Sequence, residues 1–261
     1  MSESFSSYAA NYDTDFSNTE IGKLQRSRVW FFLERNLEGK PLKILELNCG
    51  TGIDAMWFAK KGCNILATDI SPEMVKRAAE NTLAFKDKVK TITCDCRTIL
   101  EVTGKEKFDI VFSNFSGLNC LAHAELSDLS NSIKNVLKPD GKFIACFFGT
   151  KCWWEKLYFF FKFNFKEMNR RKDKKAVQVK IEDEAFATWY YSTSTINKIF
   201  SNNFMLRDKM PVGIFIPPSY LNSFFRKFPF VLKILYKMEC VFSFPFLSNY
   251  ADHYVVCLTQ K

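Results

Sequence analysis

The stretch from Leu45 to Ala55, LELNCGTGIDA, holds the densest chemistry in the chain. Within it, Gly50-Thr51-Gly52-Ile53-Asp54-Ala55 satisfies G-x-G-x-x-G/A, the spacing of a loop that brings backbone N–H groups close to a charged ligand at a helix start. The pattern alone admits three readings: a cradle for the phosphates of a dinucleotide, a wrap around the charged tail of another adenosine cofactor, or a bare turn. Two carboxylates bear on the choice. Asp69 lies seventeen residues past Gly52, where an acid at a strand end accepts both hydroxyls of an adenosine ribose, and this suits either cofactor. Glu46, on the approach to the loop, would repel a pyrophosphate and attract the ammonium and sulfonium of S-adenosylmethionine, so the charge favours the second reading. Asn48 stands where a third glycine is expected, and Asn is among the few other residues that tolerate a left-handed backbone. The chain has two histidines, His123 and His253. Both are candidate bases, because an imidazole poised near neutral pH can take a proton from a hydroxyl or phenol.

These groups need a scaffold, and residues 41–148 supply its pattern. Short β-type runs alternate with helical stretches: LKILEL (42–47), CNILATDI (63–70), VKTITCD (89–95), FDIVFSN (108–114) and KFIACFF (142–148) read as strands. Ser71-Pro72-Glu73 opens a helix with an N-cap serine and a proline at its first position. A helix around LSDLSNSIKNVL and a KPDG turn precede the fifth strand. This order predicts a Rossmann-like open α/β sheet, mostly parallel, with helices on both faces. Beyond Gly149 the pattern predicts a basic aromatic helix to about Met168 and a hairpin from VQVKIED and AFATWYYS. A helix, a strand within FMLRDKMPVGIF, an amphipathic helix and a last strand DHYVVCLTQ follow. With no repeat or linker, a single domain is expected. In it, residues 1–40 cover the cofactor, 41–149 bind it, 150–250 add a helical and hairpin cap with a sheet strand near 204–215, and 251–261 form the last strand.

LELNCGTG, Asp69, the pair Asp95 and Cys96, FDIVFSN and LKPDGKF arrive in one order and at spacings that resemble the class I S-adenosylmethionine-dependent methyltransferases, in their small-molecule methyltransferase-domain branch. The resemblance covers about residues 42–148. It implies that Glu46, Asn48, Cys49, Gly50 and Gly52 hold the methionine end and that Asp69 with Ile70 holds the ribose. It further implies that Asp95 and the Cys96 backbone hold the adenine, and that Asn114 with Phe115 floors the space near the methyl group. YAANYD resembles a segment of this branch that folds over the cofactor, which implicates Tyr8 and Tyr12. An antiparallel last strand, as in this family, would put His253 at the sheet edge that carries the cofactor. Asp252 is expected to face away from that imidazole, since neighbours on a strand point to opposite sides. FDIVFSN runs into SNFSG without the Asn/Asp-Pro-Pro-aromatic tetrad common in amino-methylating enzymes, which points to oxygen or carbon acceptors.

Composition narrows the rest. Phe is abundant, 28 residues, and crowds WWEKLYFFFKFNF and SFFRKFPFVLKILY. Segments 151–168 and 214–249 are expected to cap the cofactor and form most of an apolar or aryl acceptor pocket, with Tyr190, Tyr191 and Tyr220 as candidate lining. Lys and Arg interleaved with these aromatics suit contact with an anionic membrane surface as well as a solvated face. The net charge of +9 is spread widely apart from the run Arg170–Lys175, which reads as a solvated loop, and no nucleic-acid module is present. Nine scattered cysteines, no Cys or His set with ligand spacing and no long apolar run favour a cytoplasmic protein without disulfide or metal site. The reading is a methyltransferase of a small lipophilic or aromatic acceptor. The alternatives are an NAD(P)-dependent oxidoreductase and, behind it, an RNA methyltransferase or a non-catalytic cofactor-binding protein.

Overall fold

The computed structural model describes residues 13–37, 39, 41–115, 117–172, 175–181 and 184–261. Tyr8 and Tyr12 lie outside the described residues. Helix α1 (Glu20–Glu34) starts at Thr19, whose hydroxyl accepts from the Gly22 amide at 3.0 Å. The α/β core follows as β1 (Lys43–Leu47), α2 (Ile53–Lys60), β2 (Asn64–Asp69), α3 (Pro72–Asn81), β3 (Val89–Thr93), α4 (Ile99–Thr103), β4 (Phe108–Ser113), α5 (His123–Val136) and β5 (Leu137–Phe148). Ser71 caps α3 by accepting from the Met74 amide, with Pro72 next to it, as the Ser-Pro-Glu pattern predicts. After β5 come α6 (Trp153–Phe161), the hairpin β6 (Val177–Ile181) and β7 (Glu184–Thr188), α7 (Thr193–Phe200), β8 (Phe204–Val212), α8 (Asn222–Phe225), α9 (Pro229–Phe242) and β9 (His253–Gln260).

Seven strands form one sheet in the order β3-β2-β1-β4-β5-β9-β8. All neighbours are parallel except those of β9, which runs antiparallel to both β5 and β8. Alternation along each strand divides the core between the two faces. Leu45, Leu47, Phe143 and Phe147 pack with Leu129 and Ile133 of α5 and Phe200 of α7. Ile44, Ile144 and Cys146 pack with Val29 and Phe32 of α1 and Phe58 of α2. The same period sends Glu46 to the α1/α2 face, beside the helices that enclose the loop.

Three local expectations change. KPDG is absorbed into β5, whose register against β4 breaks between Phe108 and Ile110, so the turn survives as an irregularity within paired backbone. Helix α6 ends at Phe161 rather than near Met168, and Phe163 adopts a left-handed backbone of φ 53° just beyond it. Asp252 precedes β9 instead of belonging to it, so strand alternation does not govern its side chain.

Candidate functional site

The glycine loop joins β1 to α2 at the carboxyl edge of the sheet, where strand ends and helix N-termini leave backbone amides free to meet a ligand. Asn48, at φ 56°, adopts the left-handed backbone that its residue type permits. Gly52, at φ 79°, is the N-cap of α2, and a Cβ there would stand 2.9 Å from the Ala78 Cβ of α3. Glycine is therefore required twice over, for its backbone conformation and for the close approach of two helices. Asp69, at the end of β2, accepts from the Gly50 amide at 2.9 Å through Oδ2 and from the Ser71 amide at 3.0 Å through Oδ1. Its carboxylate thus shapes the loop and keeps further lone pairs for a ligand. Burial raises its pKa, and the amide bonds work in the opposite direction.

Beneath the loop lies a buried polar cluster. Asp54, in the first turn of α2, accepts from Trp30 Nε1 at 2.7 Å and from Asn114 Nδ2 at 2.9 Å, and it pairs with Arg26 of α1. The Asn114 side chain in turn accepts from the Phe115 amide, fixing a left-handed turn of φ 41° at the end of β4. Arg26 also sits 4.8 Å over the Phe115 ring, so α1 is locked onto the loop by both ion pair and cation–π contact. Glu46 is 1% exposed, and its Oε2 has no hydrogen-bond partner among the described residues. Burial, reinforced by the neighbouring Asp54 and Asp69 and opposed by Arg26, pushes its carboxyl well above the usual carboxylate range. A buried carboxylate oxygen without a partner suits a hydrogen-bond donor, a cationic one most of all, and the ionised group would repel a phosphate.

A cavity of about 230 Å³ opens beside the loop. Its polar side is formed by Asn48, Gly50, Asp69, Asp95, Arg97 and Asn114. Its apolar side is formed by Phe115, Leu121, Phe148 at the end of β5, and Val179 and Phe186 of the hairpin. Ile70 and Cys96 also line it, whereas Cys49 lines a smaller polar niche with Arg26, Asp54 and Asn114. Arg97 grips Asp95 through Nε and Nη2 and reaches Glu125 with Nη1 at 2.8 Å. Although partial burial opposes it, this grip holds the Asp95 carboxyl below its usual range. Burial pushes the lining thiols up, Cys96 to about 12 and Cys120 to about 11, so neither is a nucleophile near neutral pH.

Residues 44–141 match the methyltransferase domain family. This stretch is similar to the class I methyltransferase domains. A malonyl-[acyl-carrier protein] O-methyltransferase of Bacillus cereus is 28% identical over 153 residues, covering 57% of this chain and 52% of that protein. The chain thus spans about half the length of such curated relatives. The chain has the fold of a Listeria monocytogenes putative S-adenosylmethionine-dependent methyltransferase, with TM-score 0.61, 15% identity and coverage of 89% and 96% of the two chains. It also has the fold of the Synechocystis magnesium protoporphyrin IX methyltransferase solved with bound SAH, with TM-score 0.55, 15% identity and coverage of 95% and 86%. S-adenosylmethionine is the cofactor of this class, which replaces the nicotinamide alternative and agrees with the buried carboxylate under the loop.

The remaining candidates disperse. His253 is 4% exposed and lies behind the cavity wall, stacked on Phe148 at 4.5 Å and edge-on to Phe115 at 5.6 Å. Asp252 Oδ2 comes within 3.2 Å of His253 Nδ1, contrary to the expectation that it faces away, because it lies outside the strand. His123 starts α5 and packs against Tyr191 and Trp189. Tyr191 is in the core with its hydroxyl donating to the Leu121 carbonyl, and Tyr220 packs on Tyr158; neither lines the cavity. Tyr190 stands one layer back, against Phe148. Among the described residues the cavity takes no wall from 151–168 or 214–249, which corrects the expected origin of the acceptor pocket. The hairpin supplies that wall instead. The alternation of Val179 with the cross-strand Phe186 and then Thr188 was the available signal for it, while the role of Arg26 had no local signature. Arg171 is 6% exposed and heavily bonded, contrary to the solvated-loop reading of its basic run.

Glu46 leads to a pH prediction. A bound ammonium favours the ionised carboxyl, so cofactor binding should expel a proton and affinity should rise with pH, by up to about tenfold per unit, until the raised pKa is passed. Titration calorimetry across the acid range should show this slope, and Glu46→Gln should bind more weakly and without it. In the cofactor-free protein the sign reverses. Stability from this group is complete below about pH 4.3, where unfolded glutamate titrates, and declines as pH rises through the raised folded value.

Proposed function

We propose that the protein transfers the methyl group of S-adenosylmethionine to an oxygen or carbon of a small apolar or aryl acceptor, with an ionised carboxylate oxygen the favoured nucleophile. The reading rests on one observation: a cavity whose lining joins the cofactor edge of the domain to Phe115, Leu121, Phe148, Val179 and Phe186. Glu46, Asn48, Gly50 and Gly52 would hold the methionine end, Asp69 the ribose, and Asp95 with the Cys96 backbone the adenine. The cofactor supplies an activated methyl for in-line displacement. The chain's part is to align the acceptor and exclude water, which an apolar wall opposite the loop does.

No imidazole lines the cavity among the described residues, and the lining thiols hold their protons. An acceptor that is already ionised needs no base. His253, clasped between Phe115, Phe148 and Asp252, then positions the aromatic wall. A phenol acceptor would make His253 the base, and the pH profile of His253→Asn separates the two roles: turnover lowered by the same factor at every pH is expected for the carboxylate reading.

The first test is calorimetric titration with S-adenosylmethionine and, separately, NADH. Binding of the former alone supports the reading, and binding of NADH alone overturns it. Lipophilic carboxylic acids and phenols would then be screened by mass detection of the methylated product. Phe186→Ala is expected to raise the acceptor KM about tenfold, the worth of one lost aromatic contact, with cofactor affinity unchanged.

A further inference from the structure

Helices α6 and α9 invert the usual arrangement of a surface helix, which buries an apolar stripe and exposes its polar face. In α6 the one buried residue is Glu155; in α9 only Leu232 and Glu239 are buried. The large apolar side chains point outward instead. Phe161 is 70% exposed, Phe163 82%, Phe230 73% and Phe246 71%, far beyond the scattered single apolar residues that any surface shows. The elements that carry them are joined through their rings. Phe246, Phe244, Phe242, Phe215 and Trp153 form a chain of ring contacts between 5.7 and 6.5 Å, and Trp153 joins α6 to that chain.

Charge selects the occupant. Segments 151–166 and 213–250 carry eight Lys and Arg, none of them buried, and two acids, Glu155 and Glu239, which are both buried. Glu155 is used by Arg170 and Arg171, and Glu239 accepts from the amides of Gly213, Phe215 and Ile216. The exposed charges of these two segments are therefore all cationic, and the next acid in line, Glu167, is paired with Arg170. A second copy would set these cations against one another. A nucleic acid would leave Val231, Ile234 and Val241 of α9 wet. An anionic lipid surface satisfies both features, with rings and aliphatic side chains in the interface and Lys and Arg at the headgroups. No helix among the described residues is long and apolar enough to cross a membrane, which suits contact from one side.

We propose that this face docks the protein on anionic bilayers. The inference goes beyond the acceptor reading and does not depend on it. The test is flotation of the full chain with phosphatidylcholine vesicles and with vesicles also containing phosphatidylglycerol. The protein is expected to float with the anionic vesicles only, and less so as salt is raised. The double variants Phe161→Ser/Phe230→Ser and Lys162→Glu/Lys233→Glu should each lower partitioning about tenfold or more while leaving the thermal midpoint unchanged, since all four side chains are exposed. Failure to float with anionic vesicles would overturn the proposal, as would equal flotation of the variants. A stable dimer in light scattering that Phe161→Ser/Phe230→Ser dissociates would also overturn it, by making the face a self-interface.

Discussion

Arg171→Met is expected to destabilise the protein by about 3–5 kcal/mol, the cost of removing one partner from a buried ion network. Arg171 Nε donates to Glu155 Oε2 at 2.9 Å, Nη1 to the Asp252 carbonyl at 3.0 Å and the Gly149 carbonyl at 3.2 Å, and Nη2 to Asp252 Oδ1 at 2.8 Å. Its guanidinium also lies 5.3 Å from the Phe148 ring centroid and 5.1 Å from that of Tyr190. The one side chain thus ties α6, the end of β5 and the start of β9 together behind the cavity wall. Without it, Asp252, 3% exposed, keeps only the Gln25 amide and His253 as side-chain partners among the described residues, and Glu155 keeps Arg170. Urea denaturation checks the value, with exposed Lys172→Met as a control expected within about 0.5 kcal/mol of the parent.

The acid limb gives a second readout for the same variant. Burial opposes ionisation of Asp252 and Glu155, yet His253 and Arg171 hold the first below the usual carboxylate range, and Arg171 and Arg170 the second. Depressed folded values contribute stability above the unfolded pKa of about 4, and this is lost as pH falls through the folded values. The parent should therefore lose stability on acidification more steeply than Arg171→Met.

Asp69→Ala is expected to weaken S-adenosylmethionine binding by about 1.5–3 kcal/mol, roughly ten- to 150-fold, since the carboxylate both offers acceptors to the ribose and bonds the Gly50 and Ser71 amides. Calorimetry measures it. Asp69→Asn should recover part of the loss, because one oxygen remains to accept from the loop. Unchanged affinity in Asp69→Ala would remove this residue from the cofactor site.

Much of the core was legible because its signals are local. The five strands of residues 41–148 and the Ser71 cap are each specified by neighbours a few positions apart, through alternation and N-cap chemistry. The place of Glu46 beside the glycine loop was also legible, since it lies on β1 four residues before Gly50. The acceptor side was not. A density of Phe in residues 151–168 and 214–249 looks the same in sequence whether the rings wall a pocket or face outward, and the fold turns them outward.

The glycine spacing, the acids Glu46 and Asp69 and the order of strands in the core were properties of the chain read in line, and they sufficed for the fold class and the cofactor. Long-range contact settled the remainder. Gln25 meets Asp252 across 227 positions, Arg171 meets it across 81, and Arg26 reaches Asp54 across 28. No local pattern encodes such pairs, because a buried charge is tolerated only where folding delivers its partner, and the partner comes from another element. For the same reason the Asp252–His253 contact, the hairpin wall and the cationic aromatic face became visible only in the folded chain, with β9 between β5 and β8 and the hairpin outside that sheet.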